Sequence, residues 1–420
     1  VLPGLVDTHV RVLDEASPSM PPDYALKLLL AHGITTITSM QAWPYVGWAL
    51  NLQKQSAANA IVAPRIQVWA DVRAPTEKET RAMVREAKAR GVAGLGEGSV
   101  LGPPELIRAG LDEAAKLGMN SSWHMNFRNC PRFNALDAAK AGLRGLSHWY
   151  CLPEVLFDGR RLQDYPAGYS FSDVNARFRE SGRLWRQAAA PGSEKWNAVI
   201  EEFLALDFTF EPTFSVYEAN RDVMGVSHAQ WLDDYLHPTL RQTFVPSTTG
   251  AFSHFYDWSS TDEASWRQNF QIWMRFVNDY KNRGGRVVAG ADAGYMWTIP
   301  GFGYVRNLEM LEEAGFTPLE VIHAATLAGA EHLRMQQDVG SIEPGKYADL
   351  VILDRNPLQN LKALYGTGYP GLQADGTVAQ VGGVRYTVKG GLVYDAPALL
   401  ADVARLVAGA KRAAAAEGTP

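Results

Sequence analysis

The chain is poor in cysteine, in long apolar runs and in excess charge. Two cysteines, Cys130 and Cys151, among 420 residues exclude a cysteine-rich zinc site and a disulfide framework. Pairing with each other is open to them, since each follows one of two neighbouring predicted strands; the reading adopted is two free, partly buried thiols. No apolar stretch approaches the ~20 residues of a membrane span, so no membrane partner is expected. A net charge of -5, without a basic run or an RNA-binding aromatic motif, gives no reason to expect nucleic acid. No signal peptide is visible, yet the chain starts inside a predicted strand, VLPGLVDTHV. A longer precursor, and either a cytoplasmic or an exported location, therefore stay open. A glycine-rich phosphate loop is missing after that strand, which argues against an open dinucleotide-binding sheet.

What is present is an alternation of strand-like and helix-like segments. Strands are predicted at 5–11, 34–40, 65–70, 92–97, 120–124, 145–149, 208–214 and 286–291. Between them, TEKETRAMVREAKARG opens on a Thr76/Glu79 capping box and stops at Gly91. GPPELIRAGLDEAAKLG carries prolines in its first turn and ends at Gly118. Eight strand–helix repeats predict an α/β chain folded as a (β/α)8 TIM barrel. Residues 1–335 are assigned to this catalytic barrel. From Gln336 onward, GSIEPGKYADLVILD and GVRYTVKGGLVYD read as strands with a Gly390-Gly391 hairpin turn, followed by an alanine-rich helix. Residues 336–420 are assigned to a β-strand subdomain plus C-terminal helix.

Two long connections, 150–205 and 218–284, hold most of the aromatics and follow late strands, so they are expected over the barrel mouth. Trp266, Phe270, Trp273, Val277 and Tyr280 recur at helical spacing behind a capping box at Ser260 and Glu263. The expectation is a helix packing its apolar stripe on the body; the sharper alternative is a lid over an aromatic pocket.

Polar residues gather at the C-terminal strand ends, which converge on one mouth in a barrel. Strand one offers His9 and Arg11, strand four Gly96-Glu97, strand five His124, strand six His148 and strand eight Asp292. Three histidines and two carboxylates are a metal-site composition. His32, His228, His237, His254, His323 and His332 lack that shared register and read as hydrogen-bonded core residues.

The pieces PGLVDTHV, HGITTI, SSWHMN, GLRGLSHW, EPTFSVY and VVAGADAG, with the long run LEMLEEAGFTPLEVIHAATLAGAEHLRMQQDVGSIEPGKYADLVILDRNPL, resemble the amidohydrolase superfamily in its imidazolonepropionase- and prolidase-like branch. The resemblance implies a (β/α)8 barrel with a small β-sandwich subdomain whose N-terminal half is absent from this sequence. It also implies a small-molecule substrate and a homo-oligomer. The family's usual site has two metals, held by a His-x-His on strand one, the strand-eight Asp and histidines of strands five and six, with a carboxylated lysine of strand four bridging them. His9, His124, His148 and Asp292 match this pattern. Arg11 stands where the second histidine should be, and Gly96 or Glu97 stands near the lysine position. Arginine stays protonated and offers no lone pair, so the first metal position has lost a ligand.

The expected survivor is one divalent metal, zinc first, on His124, His148 and Glu97 with His9 nearby. Asp292 would act as general base and then acid in hydrolysing an amide or cyclic-amide C–N bond. Arg11 would supply a fixed positive charge, pairing with Asp292 or clamping a substrate carboxylate. Trp149, Tyr150, Tyr256, Trp258 and Trp297 are the candidate aromatic contacts, with loop packing as their plain alternative. Two other functions stay open: a metal-free relative catalysing a lyase or isomerase reaction, and a non-catalytic small-molecule binder.

Overall fold

Eight short parallel strands form the centre of the computed structural model, which describes residues 1–11, 20–41, 43–96, 102–245 and 255–416. They are β1 (Leu5–Val10), β2 (Ile34–Gln41), β3 (Arg65–Ala70), β4 (Gly94–Leu95), β5 (Asn120–Trp123), β6 (Gly145–Ser147), β7 (Thr209–Glu211) and β8 (Arg286–Val287). Each pairs in parallel with the next in sequence order. The sheet curls until its ends meet. Thr8 N–H donates to Ala289 O (3.1 Å), Asp292 N–H donates to His9 O (3.0 Å), and Val10 bridges Ala293 in parallel. Helices covering the outside explain why β1 is buried at every residue, as a strand packed on both faces must be. All eight predicted strands exist. Several form a regular ladder over less than their apolar runs: in the 286–291 run it covers Arg286–Val287, after which Val288 N–H still donates to Phe210 O and Ala289 O accepts from Thr8 N–H.

The end signals act as read. Thr76 caps Glu77–Arg90 by accepting from Glu79 N–H, and Gly91 closes it at φ 99°, a conformation that favours glycine. Pro104–Lys116 starts on its prolines. The helix Ser260–Asn282 buries Trp266, Phe270, Trp273, Val277 and Tyr280, so it is a wall of the body. Its capping box is formed one residue earlier than expected, by Ser259 and Asp262.

A four-stranded antiparallel sheet lies apart from the barrel strands, in the order Leu2–Pro3, Leu350–Leu353, Val384–Lys389, Leu392–Asp395. Gly390 and Gly391, both at positive φ, make its hairpin. Residues 2–3 thus join the sheet built from the far end of the chain. Tyr369–Leu372 and Val378–Val381 form a separate pair. The C-terminal helix Ala396–Ala416 buries Leu400, Val403 and Val407 and packs on Pro22–Ala31. Among the described residues no helix is long and apolar enough to cross a membrane.

The expectation of free thiols is overturned: Cys130 and Cys151 form a disulfide, with Cα atoms 4.9 Å apart. The loops leaving the neighbouring strands β5 and β6 bring them together, and Cys151 sits at φ 61° to do so. Just beyond, Glu154 is buried in the 3-10 turn Pro153–Leu156, and its Oε2 has no hydrogen-bond partner. Burial pushes this carboxyl up to about 7.

Two outcomes are expected. Replacing both cysteines by serine should lower unfolding stability by about 3 kcal/mol in a denaturant titration, as expected for a loop of this size; an unchanged midpoint would contradict the cross-link. Because the Glu154 pKa is raised on folding, its contribution is fully present below the unfolded value and lost as pH rises through about 7. Glu154→Gln should therefore stabilise the protein at pH 8 relative to pH 5 by about 1–3 kcal/mol more than wild type.

Candidate functional site

Four strand ends deliver the polar cluster. His9 comes from β1, His148 follows β6, Thr213 follows β7 and Asp292 follows β8. His148 (φ 66°), Thr213 (φ 47°) and Asp292 (φ 49°) all adopt the left-handed conformation. Such strain costs of order 1 kcal/mol each and persists where surroundings impose it, often at functional sites. Here backbone bonds impose it: His148 N–H donates to Glu211 O and Asp292 N–H to His9 O. The turn aims each side chain into the mouth rather than along the sheet.

Asp292 is the hub. Its Oδ1 lies 2.6 Å from Arg11 Nε and 3.5 Å from His9 Nε2; its Oδ2 lies 3.5 Å from His148 Nε2. Behind the rings stand two further groups. His9 Nδ1 meets Glu211 Oε1 at 2.5 Å, so it donates its proton to that carboxylate. His148 Nδ1 meets Thr213 Oγ1 at 2.5 Å, while the Thr213 hydroxyl donates to Pro212 O at 2.7 Å. The hydroxyl has one proton, already committed, so His148 Nδ1 must be the donor and its Nε2 carries a lone pair. These are the orienting partners typical of metal-ligating histidines.

The electrostatics differ ring by ring. Burial holds His148 well below the ordinary histidine range, with the neighbouring His9 and His124 adding to the effect. Burial, then the Arg11 charge, pushes His124 down to about 3. Both rings are therefore neutral at pH 7. Burial opposes the charged form of His9 too, but the Asp292 and Glu211 carboxylates outweigh it and raise its pKa.

Of the expected ligands, His9 and His148 form a group with Asp292, expected as the proton carrier, whose donor atoms all lie within 4.8 Å of one another. Donors around one zinc stand about 3.3 Å apart; here each imidazole lies 3.5 Å from Asp292, His9 from Oδ1 and His148 from Oδ2. A lone pair on His148 Nε2 facing a carboxylate oxygen is a pair of acceptors that a cation would satisfy, so the donor set fits one divalent ion. His124 stands beside the group, its ring centroid 5.5 Å from that of His148. Glu97 lies outside the described residues. A side chain at Gly96 would have to displace Met40: a Cβ there would come within 2.6 Å of Met40 Sδ and 3.2 Å of Trp69 Cβ.

A cleft of about 340 Å³ opens over the cluster, lined by Arg11, His124, His148, Tyr150 and Asp292, with Tyr217 and Tyr295 beside them. Of the five expected aromatics only Tyr150 lines it, its hydroxyl 2.9 Å from that of Tyr217. The other four do not line it. Trp149 is buried behind Tyr150, against Trp266. Trp258 donates to Asn175 and packs near Trp266. Trp297 donates to the Tyr256 hydroxyl away from the cleft, which neither of them lines. Loop packing claims Trp149, which is buried, whereas Tyr256 is exposed and Trp258 and Trp297 are half-buried. Among the remaining histidines, His32, His237 and His332 are buried as expected, whereas His228 and His323 are exposed and His254 lies outside the described residues. Glu211 and Thr213 were missed. They sit in EPTFSVY at the end of β7, the kind of strand end that supplied the other site residues.

Residues 274–393 match the family model described as "Amidohydrolase family". The imidazolonepropionase of Brevibacillus brevis is 40% identical over 65 residues, 16% of this chain and 15% of that protein. Adenine deaminase 2 of Jannaschia sp. is 34% identical over 62 residues, 15% of this chain and 10% of that protein. The chain thus spans a small fraction of the length of these curated relatives. Solved structures align over nearly the whole chain. A Xaa-Pro dipeptidase with bound methionine in its active site is 17% identical, with TM-score 0.57 over 94% of this chain and 86% of that one. A bottromycin amidohydrolase is 17% identical, with TM-score 0.65 over 96% and 80%. At these identities the likeness is one of fold.

The closed position at Gly96 gives a direct test. Gly96→Ala should destabilise the protein by about 1–3 kcal/mol, the usual cost of overpacking. Combined with Met40→Ala it should cost less than the two changes summed. Strict additivity in a denaturant titration would show that the contact does not close the position.

Proposed function

We propose that this chain, which carries an amidohydrolase-family domain, hydrolyses an amide or cyclic-amide C–N bond of a small molecule in the cleft above β1, β6 and β8. The observation that carries the reading is the convergence of His9, His148 and Asp292, with both rings oriented from behind by Glu211 and Thr213. These three would hold one divalent metal, zinc first, with His124 adjoining. When bound, such an ion would lower the pKa of a water to roughly 7 and polarise a carbonyl. Asp292 Oδ2 accepts the proton of the attacking water and returns it to the leaving amine nitrogen. Arg11 Nε donates to Oδ1 and so fixes the orientation of the carboxylate. Thr213 keeps the proton of His148 on Nδ1, so the ring cannot turn its donor toward the reacting atoms. The Tyr217 hydroxyl donates to that of Tyr150, which leaves the Tyr150 proton to face the substrate as a donor. In this reading residues 1–335 are the catalytic barrel, residues 336–420 the β subdomain with its helix, and the four-stranded sheet is the sandwich portion the family resemblance implies.

A second reading has its own observation. Arg11 lies on Asp292, and the raised pKa of His9 favours imidazolium, so the cluster can balance its charge without a metal. It would then support a non-hydrolytic lyase or isomerase reaction.

Elemental analysis of the purified chain separates the two. About one equivalent of zinc or another divalent ion is expected, lost in His148→Ala. Asp292→Asn should lower turnover by about 10²-fold or more, the size of a general acid–base contribution. No bound metal after reconstitution, or turnover preserved in Asp292→Asn, would sink the hydrolase reading.

A further inference from the structure

The cleft contains a second guanidinium. Arg177 is carried by the helix Val174–Ser181, part of the long connection after β6. It lines the cleft with Arg11 and Asp292. Its guanidinium carbon lies 4.3 Å from the Phe127 ring centroid and 5.3 Å from that of Phe178, and its Nη1 donates to Phe171 O at 3.3 Å. Two rings and a carbonyl thus fix the plane of the fork. Among the described residues no carboxylate pairs with it. Arg11, by contrast, is engaged with Asp292. The charged groups lining the cleft are then two arginines against one aspartate, and His124 and His148 are neutral. The one carboxylate is already matched, so the remaining positive charge belongs to Arg177.

A preorganised planar fork beside apolar walls suits a carboxylate, which it can bind through two parallel hydrogen bonds. The neighbouring walls, Phe127, Phe178, Val216 and Met296, suit an apolar side chain. We propose that Arg177 is the specificity residue of the cleft and takes the carboxylate of a substrate of the N-acyl amino acid or dipeptide class, whose apolar side chain packs on Phe127 and Phe178. Arg11 is thereby relieved of the carboxylate-clamping role. The identity of the scissile bond rests on the hydrolase reading above; the anion site does not.

The test is calorimetric titration of the full chain with N-acetyl-L-phenylalanine, its neutral carboxamide and inorganic phosphate, with hydrolysis followed separately. The carboxylate should bind about tenfold or more tightly than the carboxamide, as a charge-assisted fork requires. Arg177→Gln should erase that preference, the carboxylate losing more affinity than the carboxamide; Arg177→Lys, which keeps the charge but not the fork, should retain part of it. Equal affinities in wild type, no binding of the carboxylate, phosphate binding as well as the carboxylate, or a preference that survives Arg177→Gln would each overturn the assignment. Preference with no hydrolysis supports Arg177, the hydrolase reading being decided by metal content and Asp292→Asn; hydrolysis without preference overturns Arg177 alone.

Discussion

The closure of β1 against the end of β8 is the contact on which the site depends. Asp292 N–H donates to His9 O, and Asp7 Oδ1 accepts from both His9 N–H and Ala291 N–H at 3.1 Å. One buried carboxyl therefore ties the strand carrying His9 and Arg11 to the strand carrying Asp292. Since alternate residues face opposite sides, a slip of one position would turn His9 and Arg11 out of the mouth. Asp7 itself is pushed up to about 8 by burial, so it works as a neutral clasp at pH 7 and adds no charge beneath the cluster.

Around that seam the site is built in layers. Asp292 meets two imidazoles and a guanidinium; the imidazoles meet Glu211 and Thr213; Thr213 in turn is spent on a backbone carbonyl. Each layer removes a freedom from the one in front of it. Taking a carboxylate and a guanidinium partly out of water is costly unless both are well paired. Arg11 and Asp292 meet that requirement with a 2.6 Å contact, which explains how a permanent charge can occupy a position where the related pattern places a metal ligand.

The loops over the mouth divide their aromatics between two tasks. Most stabilise the loops themselves: Trp266 and Trp273 are fully buried in the long helix, and the Cys130–Cys151 bridge ties the segment after His124 to the segment after His148. Five rings line the cleft: Phe127, Tyr150, Phe178, Tyr217 and Tyr295. Composition alone could not tell these groups apart, because a ring that packs a loop and a ring that meets a ligand are the same residue type at the same kind of position. Arg177 escaped notice for a similar reason, lying on a helix where a surface arginine is the ordinary expectation.

The sequence by itself determined the eight strands, their order and the strand ends that bear chemistry, because period-two apolar runs and helix caps are local properties read along the chain. It also showed that Arg11 and Gly96 depart from the ligand pattern of the family it resembles. Only the tertiary structure decided which groups meet: that His9 rather than His124 joins His148 and Asp292 most closely, that Glu211 and Thr213 set the proton positions, and that the two cysteines are one bridge. Those contacts join residues as many as 283 positions apart, and only closure of the barrel sets their distance.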